Sequence, residues 1–209
     1  TVTALAVGIA AEEGLLSVED KLVSIFPDKL PIQPLRNAKL SQLTIKHLLT
    51  MTAGVNFDEA GSVHEKDWVK CYLESDYSFT PGSDFYYNSL NTYMLAAAVV
   101  KRSGMSLVEY LRSRLFEPLG IENVYWETCP LGIEKGGWGL YLCPEDMLKL
   151  GQLFLDGGRI TDEKGNVRQL VPDWFIKDAT TNHIKKENEI CRYGYGYQIW
   201  LWGKKGAYM

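Results

Sequence analysis

The stretch PGSDFYYNSLNTYMLAAAV (81–99) holds the densest run of side chains able to do chemistry. A Pro-Gly turn delivers an aromatic run, then small polar residues, then an apolar helix. That order can hold a tyrosine at a loop-to-helix junction with its phenol aimed into a cleft. A phenol acts as a general base only where nearby cations bring its pKa down from about 10 toward the working pH. Phe85, Tyr86 and Tyr87 serve equally well as aromatic packing, and the residues alone leave both readings open.

Other routes to catalysis are poorly represented. The chain has no Gly-x-Ser-x-Gly elbow, and no serine is followed three residues later by lysine. Thr161 has Lys164 at that spacing, but inside an Asp/Gly/Asn turn. His47 falls within a helix and reads as structural; His64 and His183 lie in polar surroundings with no evident partner, so no Ser-His-Asp triad is expected. Glu12–Glu13 and Glu145–Asp146 are neighbours along helices, suited to dipole and surface roles rather than to facing each other across a glycosidase cleft. Cys71, Cys129, Cys143 and Cys191 form no C-x-x-C and have no histidine at zinc-finger spacing. Neither a metal nor a cofactor is expected.

The elements that would position the tyrosine are mostly helices. Residues 1–13 place Val2, Leu5, Ala6 and Ile9 on one face, with Gly14 as the left-handed stop. Ser17 and Asp20 read as an N-cap and its N3 acid, opening a short helix that ends by Pro27. Residues 27–43 hold three of the eight prolines and read as a surface loop. Thr44 caps a helix running to Gly54, and a further helix is predicted around 65–73. The helix 91–104 ends at Gly104. Ser106 and Glu109 form a capping box for the next, which runs to about Phe116. Pro144 starts a helix that Gly157–Gly158 terminate. Residues 159–170 read as a hairpin turning at Lys164-Gly165-Asn166, and YGYGYQIWLW (193–202), alternating glycine and aromatics, reads as a strand.

The 209 residues, 46% hydrophobic, suffice for a sizeable core. A net charge of -4 and the dilution of HIKK (183–186) by Glu187 and Glu189 argue against a nucleic-acid partner. The longest apolar run, near Ala4–Ala11, falls far short of the roughly 20 residues of a membrane span. Localisation and redox compartment stay open.

Several phrases resemble one family in order and spacing. TVTALAVGIA with Glu12–Glu13 and Gly14, then LLSVED, is similar to the helix that follows the Ser-x-x-Lys nucleophile motif of serine beta-lactamases and penicillin-binding proteins. LTIKHLLTMTAG (43–54) resembles that family's ITIRHLLTHTSG, with Met51 where a second histidine is common. The Pro81-Gly82 turn and its aromatics match the loop carrying a Tyr-x-Asn or Tyr-x-Ser motif. LFEPLGI (115–121), GGWGLYLCPEDMLKLGQLFLDGG (136–158) and YGYGYQIWLW complete the likeness, which spans the whole chain and points to the class C beta-lactamase and esterase branch.

The resemblance implies an α+β fold of beta-lactamase/DD-peptidase type: a helical subdomain over 1–158, then a hairpin, a helix and the onset of the sheet over 159–209, all within one partial domain. It implies acyl transfer to an amide or ester, whether a beta-lactam, a D-amino-acid peptide or a small ester, through an acyl-enzyme. The spacing from Tyr87 to Leu95 favours Tyr87 over Tyr86 as the proton shuttle, with Ser89 as second polar member. Tyr86 then points to the opposite side, and Tyr86, Asn88 and Trp138 complete the expected substrate-binding set.

The Ser-x-x-Lys would end immediately before Thr1, and the family's Lys-Thr-Gly or His-x-Gly strand motif would follow Met209; GKKG (203–206) is only superficially like it. The chain is therefore expected to be part of a longer hydrolase and inactive by itself. The alternative is a non-catalytic ligand-binding or regulatory homologue, in which Trp138, Trp200, Trp202 and Tyr87 line a pocket for a peptide, sugar or drug-like ligand. An exposed terminal strand at 193–202 is expected to invite dimerisation.

Overall fold

The computed structural model describes residues 1–31, 37–57, 61, 64–162, 164–184 and 194–202. Helices dominate: α1 (Val2–Glu12), α2 (Leu22–Ile25), α3 (Asn37–Leu40), α4 (Ile45–Leu49), α5 (Trp68–Glu74), α6 (Ser89–Ser103), α7 (Leu107–Leu111), α8 (Pro144–Leu155) and α9 (Asp173–Ala179). Among the described residues two antiparallel pairs supply the strands, β1 (Tyr125–Trp126) with β2 (Leu140–Tyr141) and β3 (Arg159–Thr161) with β4 (Val167–Gln169). The arrangement is the α+β class, weighted to its helical part.

Helix α1 is the axis of the core. Thr3 through Ala10 are all buried, so it is apolar on every side and is surrounded rather than laid on a surface. Small residues allow that: α1 packs on α6, whose Ala96, Ala97 and Ala98 are fully buried. A side chain at Gly8 would place its Cβ 2.6 Å from the Phe175 ring of α9. Gly14 ends the helix at φ +71°, as its sequence indicates.

Helix ends are closed by side chains at Thr44 and Ser106, as the sequence predicts, both forming reciprocal capping boxes, and at Asp67, whose carboxylate accepts the Lys70 amide at the head of α5. One closure comes from far along the chain. Glu134, 3% exposed, accepts the Leu107 and Val108 amides at 3.0 and 3.1 Å and so seats α7. The hairpin β3–β4 turns around Asp162, whose carboxylate accepts the Lys164 and Asn166 amides, with Gly165 at φ +81°.

Several expectations are corrected. Ser17–Asp20 forms a turn, not a helix start: Asp20 accepts the Ser17 amide, and Lys21 bridges Thr44 before α2 begins at Leu22. The amides of Ile45 and Lys46 donate to the carbonyls of Asp20 and Val18, and this cross-chain pairing outweighs the local cap. Helix α4 stops at Leu49 rather than Gly54, because Met51 enters the left-handed region at φ +56°. Glu13 lies at the C-terminal end of α1, where a helix dipole opposes a negative charge. It pairs instead with Arg114 at 2.7 Å and accepts the Tyr110 hydroxyl at 3.0 Å.

The expected strand 193–202 does not form over the described residues 194–202. Tyr195 bridges Trp200, Gly196 donates to Ile199, and Gln198 turns the chain at φ +60°. The alternating glycines mark close approach rather than pleating. A Cβ at Gly194 would collide with the Asn182 side chain, and one at Gly196 with the Ala179 carbonyl. Tyr195, Tyr197 and Ile199 are buried within this reversal. Among the described residues no helix is long and apolar enough to cross a membrane.

Candidate functional site

Tyr87 stands where an extended loop enters α6. Asn88 has extended backbone and caps the helix: its Oδ1 accepts the Leu90 amide at 2.8 Å, while its Nδ2 donates to the Phe57 carbonyl at 3.0 Å. At 3% exposure, Asn88 is sealed in as a positioning group, with its carboxamide bonded at both ends. Tyr86 and Tyr87, which precede it, are 49% and 43% exposed. Ser89 opens α6 and is half-buried, its carbonyl pressed beneath Gly137, where a side chain would come within 2.7 Å.

The loop before Tyr87 is clamped from behind. The Tyr86 amide donates to the Met51 carbonyl at 2.9 Å, and the Asn91 side chain donates to the Met51 sulfur at 3.3 Å. Asn91 in turn accepts the buried Tyr72 hydroxyl at 2.6 Å. Met51 thus sits fully buried in a conformation unusual for a side-chain-bearing residue, fixed by hydrogen bonds on two sides. Below it, Gly82 packs so closely on His47 that a Cβ would lie 2.9 Å from Nε2. His47 accepts the Thr44 amide through Nδ1, and burial lowers its pKa from the ordinary 6.5. The histidine of KHLLTMT is therefore a neutral prop for the Pro81-Gly82 turn.

An aromatic cluster joins this loop to residues 194–202. Tyr87 stacks on Trp200 at 5.5 Å with 26° between planes, and Phe85 meets both Tyr195 (5.3 Å) and Trp200 (5.8 Å). Two residues before Trp200, the Gln198 carbonyl accepts the Thr1 hydroxyl at 3.2 Å. Residues 198–200 therefore touch both the first turn of α1 and the ring of Tyr87, which lie far apart in sequence.

Trp138 is held differently. It stacks on the buried Trp68 at 5.9 Å, with the Lys135 ammonium 5.9 Å from its ring centre, and its carbonyl accepts the Trp126 indole. Gly136 and Gly137, just before it, lie against Thr92 and Ser89 of α6, so Trp138 belongs to the wall behind the helix. His183 stacks flat on Tyr197 at 4.7 Å and bonds the Asp178 carbonyl through Nε2. Cys191 and GKKG lie outside the described residues; Cys71, Cys129 and Cys143 are free thiols. Among the described residues no group of three or more His, Cys, Asp or Glu could hold a metal ion.

Two residues of this neighbourhood carry no motif and are not singled out by the sequence for their backbone or bonding: Gln198 and the left-handed Met51. The glycines of YGYGY were the available signal, since they permit the close approach that buries Gln198.

A family model described as Beta-lactamase matches residues 1–208. Penicillin-binding protein 4* of Bacillus subtilis is 25% identical over 240 residues, which cover 98% of this chain and 51% of that protein. In a solved structure, the penicillin binding protein from Bacillus halodurans aligns at TM-score 0.70 and 23% identity, covering 99% of this chain and 69% of its own. The octameric penicillin-binding protein homologue from Pyrococcus abyssi aligns at TM-score 0.69 and 24% identity, covering 95% and 50%. The chain spans about half the length of the Bacillus subtilis relative.

Proposed function

The chain belongs to the Beta-lactamase family, and on that premise we propose that it is the tyrosine-bearing part of a serine hydrolase working on an amide or ester through an acyl-enzyme. Tyr87 is the proton shuttle in this reading, Ser89 the second polar member, and Tyr86 a substrate contact. Asn88 contributes by fixing the turn that presents Tyr87. Trp138, stacked on Trp68 behind α6, supports the helix that Tyr87 enters.

One observation carries the reading. Residues 198–200 hold the start of α1 and the ring of Tyr87 in one cluster, through the Thr1–Gln198 bond and the Tyr87–Trp200 stack. By resemblance, α1 corresponds to the family helix that follows the nucleophilic serine and its lysine. A lysine there is the kind of cation that a phenol needs to lose its proton near neutral pH. The serine oxygen would attack the carbonyl carbon, its proton passing to the Lys–Tyr pair. That proton would then go to the leaving nitrogen or oxygen as the bond breaks, and water would hydrolyse the ester left on serine.

The test is acylation and turnover by the full-length protein with a chromogenic cephalosporin and a p-nitrophenyl ester, followed by intact mass. A covalent adduct on one serine is expected. Tyr87→Phe should lower kcat by about 100-fold or more, the scale of one general acid–base group, while Tyr125→Phe, exposed on β1, stays within about threefold. Absence of any adduct, or full turnover by Tyr87→Phe, would refute the assignment.

A further inference from the structure

Gln198 bonds all three segments on which the candidate site is built. Its Oε1 accepts the Thr92 hydroxyl of α6, the helix that Tyr87 enters. Its Nε2 donates to the carbonyls of Leu48 (2.9 Å) and Leu49 (3.3 Å) at the end of α4, just before Met51. Its own amide donates to the Leu49 carbonyl at 2.9 Å, and its carbonyl accepts the Thr1 hydroxyl at the head of α1.

The residue is 7% exposed, and its φ of +60° is shared, among described residues other than glycine, by Met51 alone at +56°. A glutamine in the left-handed region carries a conformational cost and persists only where its surroundings hold it there. These two backbone exceptions stand on either side of one junction. Met51 grips the Tyr86 amide; Gln198 grips the turn leading to Met51. A buried carboxamide with both ends engaged also tolerates little displacement, since moving it would take this acceptor from the Thr92 hydroxyl and one donor from each of the Leu48 and Leu49 carbonyls.

We infer that Gln198 is a positioning residue: it locks α1, the end of α4 and α6 in one register, and thereby sets where Tyr87 stands relative to the first turn of α1. It reaches no reacting atom itself. Its catalytic consequence rests on the hydrolase reading above; its structural half stands without it.

The experiment uses the full-length protein and three variants: Gln198→Met, Gln198→Met with Thr92→Val, and Leu115→Ala as a core-destabilised control remote in sequence. Gln198→Met keeps the length of the side chain but removes its three side-chain bonds, leaving the backbone bonds to Leu49 and Thr1 in place; adding Thr92→Val removes the stranded hydroxyl and should return much of the lost melting temperature. With the p-nitrophenyl ester, Gln198→Met should lower kcat by about 100-fold with KM within about threefold, the signature of misplaced groups rather than lost binding. The double variant should stay slow although its stability recovers, and Leu115→Ala should keep its kcat. Recovery of kcat together with melting temperature, or an unchanged kcat in Gln198→Met, would overturn the proposal.

Hydrogen exchange separates this from failure of the hydrolase reading. If wild type hydrolyses nothing, Gln198→Met should still cut protection of the Tyr86 amide by about tenfold, with Leu115→Ala leaving it within about threefold of wild type. Equal Tyr86 protection in wild type and Gln198→Met defeats the positioning role whatever the activity.

Discussion

His47, which reads as structural from its place in a helix, holds two neighbours at once. Its Nδ1 takes the Thr44 amide and its ring supports Gly82, so a proton on Nδ1 would remove the cap. Burial, the largest influence, lowers its folded pKa below 6.5; Glu19 opposes and Lys46 adds to that shift. Above about pH 6.5 both folded and unfolded histidine are neutral and the stability is intact. As pH falls, the unfolded chain takes up the proton first, so stability is lost progressively down to the folded pKa. Urea titrations at pH 7.5 and 5.5 should show a larger drop for wild type than for His47→Gln, which keeps an acceptor at N3 of the capping box. Equal drops would mean that His47 is not the group being titrated. Gly82→Ala should also destabilise, through both its φ of +84° and the 2.9 Å approach to His47.

At the scale of elements, the helix α7 has a start legible in sequence and an anchor that is not. Ser106 and Glu109 form the expected capping box, yet the amides of Leu107 and Val108 go to Glu134, 26–27 residues away. A buried carboxylate accepting two amides is a strong arrangement, and replacing one acceptor by an NH2 turns donor against donor. Glu134→Gln should therefore cost about 2–3 kcal/mol in chemical denaturation, whereas Glu109→Gln, exposed and still able to cap, should cost under about 0.5 kcal/mol. Similar losses in the two variants would show that the local box, not Glu134, holds α7. Asn88 illustrates the same division. Its type suggests a polar contact for substrate, but its position at the head of α6 commits it to capping.

The whole molecule is organised around α1, and Gly8 measures how tightly. In a helix interior, Gly→Ala ordinarily gains about 1 kcal/mol. Here the new methyl would lie 2.6–2.7 Å from two ring carbons of Phe175, and overpacking of that kind costs about 1–3 kcal/mol. The clash should win, so Gly8→Ala is expected to lower the melting temperature. Combining it with Phe175→Leu should lose less than the sum of the two single changes. Stabilisation by Gly8→Ala alone would show that α9 gives way more readily than the packing implies.

The residue sequence by itself determined the elements whose signals are local: α1 with its Gly14 stop, the capped starts of α4 and α7, α6 with Gly104, α8 between Pro144 and the Gly157–Gly158 pair, and the Asp162 turn. Its phrases also determined the family, because they agree in order along the chain. Tyr87 was legible as a junction residue for the same reason, since a turn, aromatics and a helix follow one another directly. Tertiary structure alone decided what depends on partners distant in sequence. YGYGYQIW has the alternation of a strand, but Gly194 and Gly196 instead let the backbone press onto 179–182. That reversal buries Gln198, stacks Trp200 on Tyr87 and brings Thr1 to the same place. A period-two pattern records which residues are small and which are large; only the surrounding chain determines whether the small ones make room for a pleat or for another backbone.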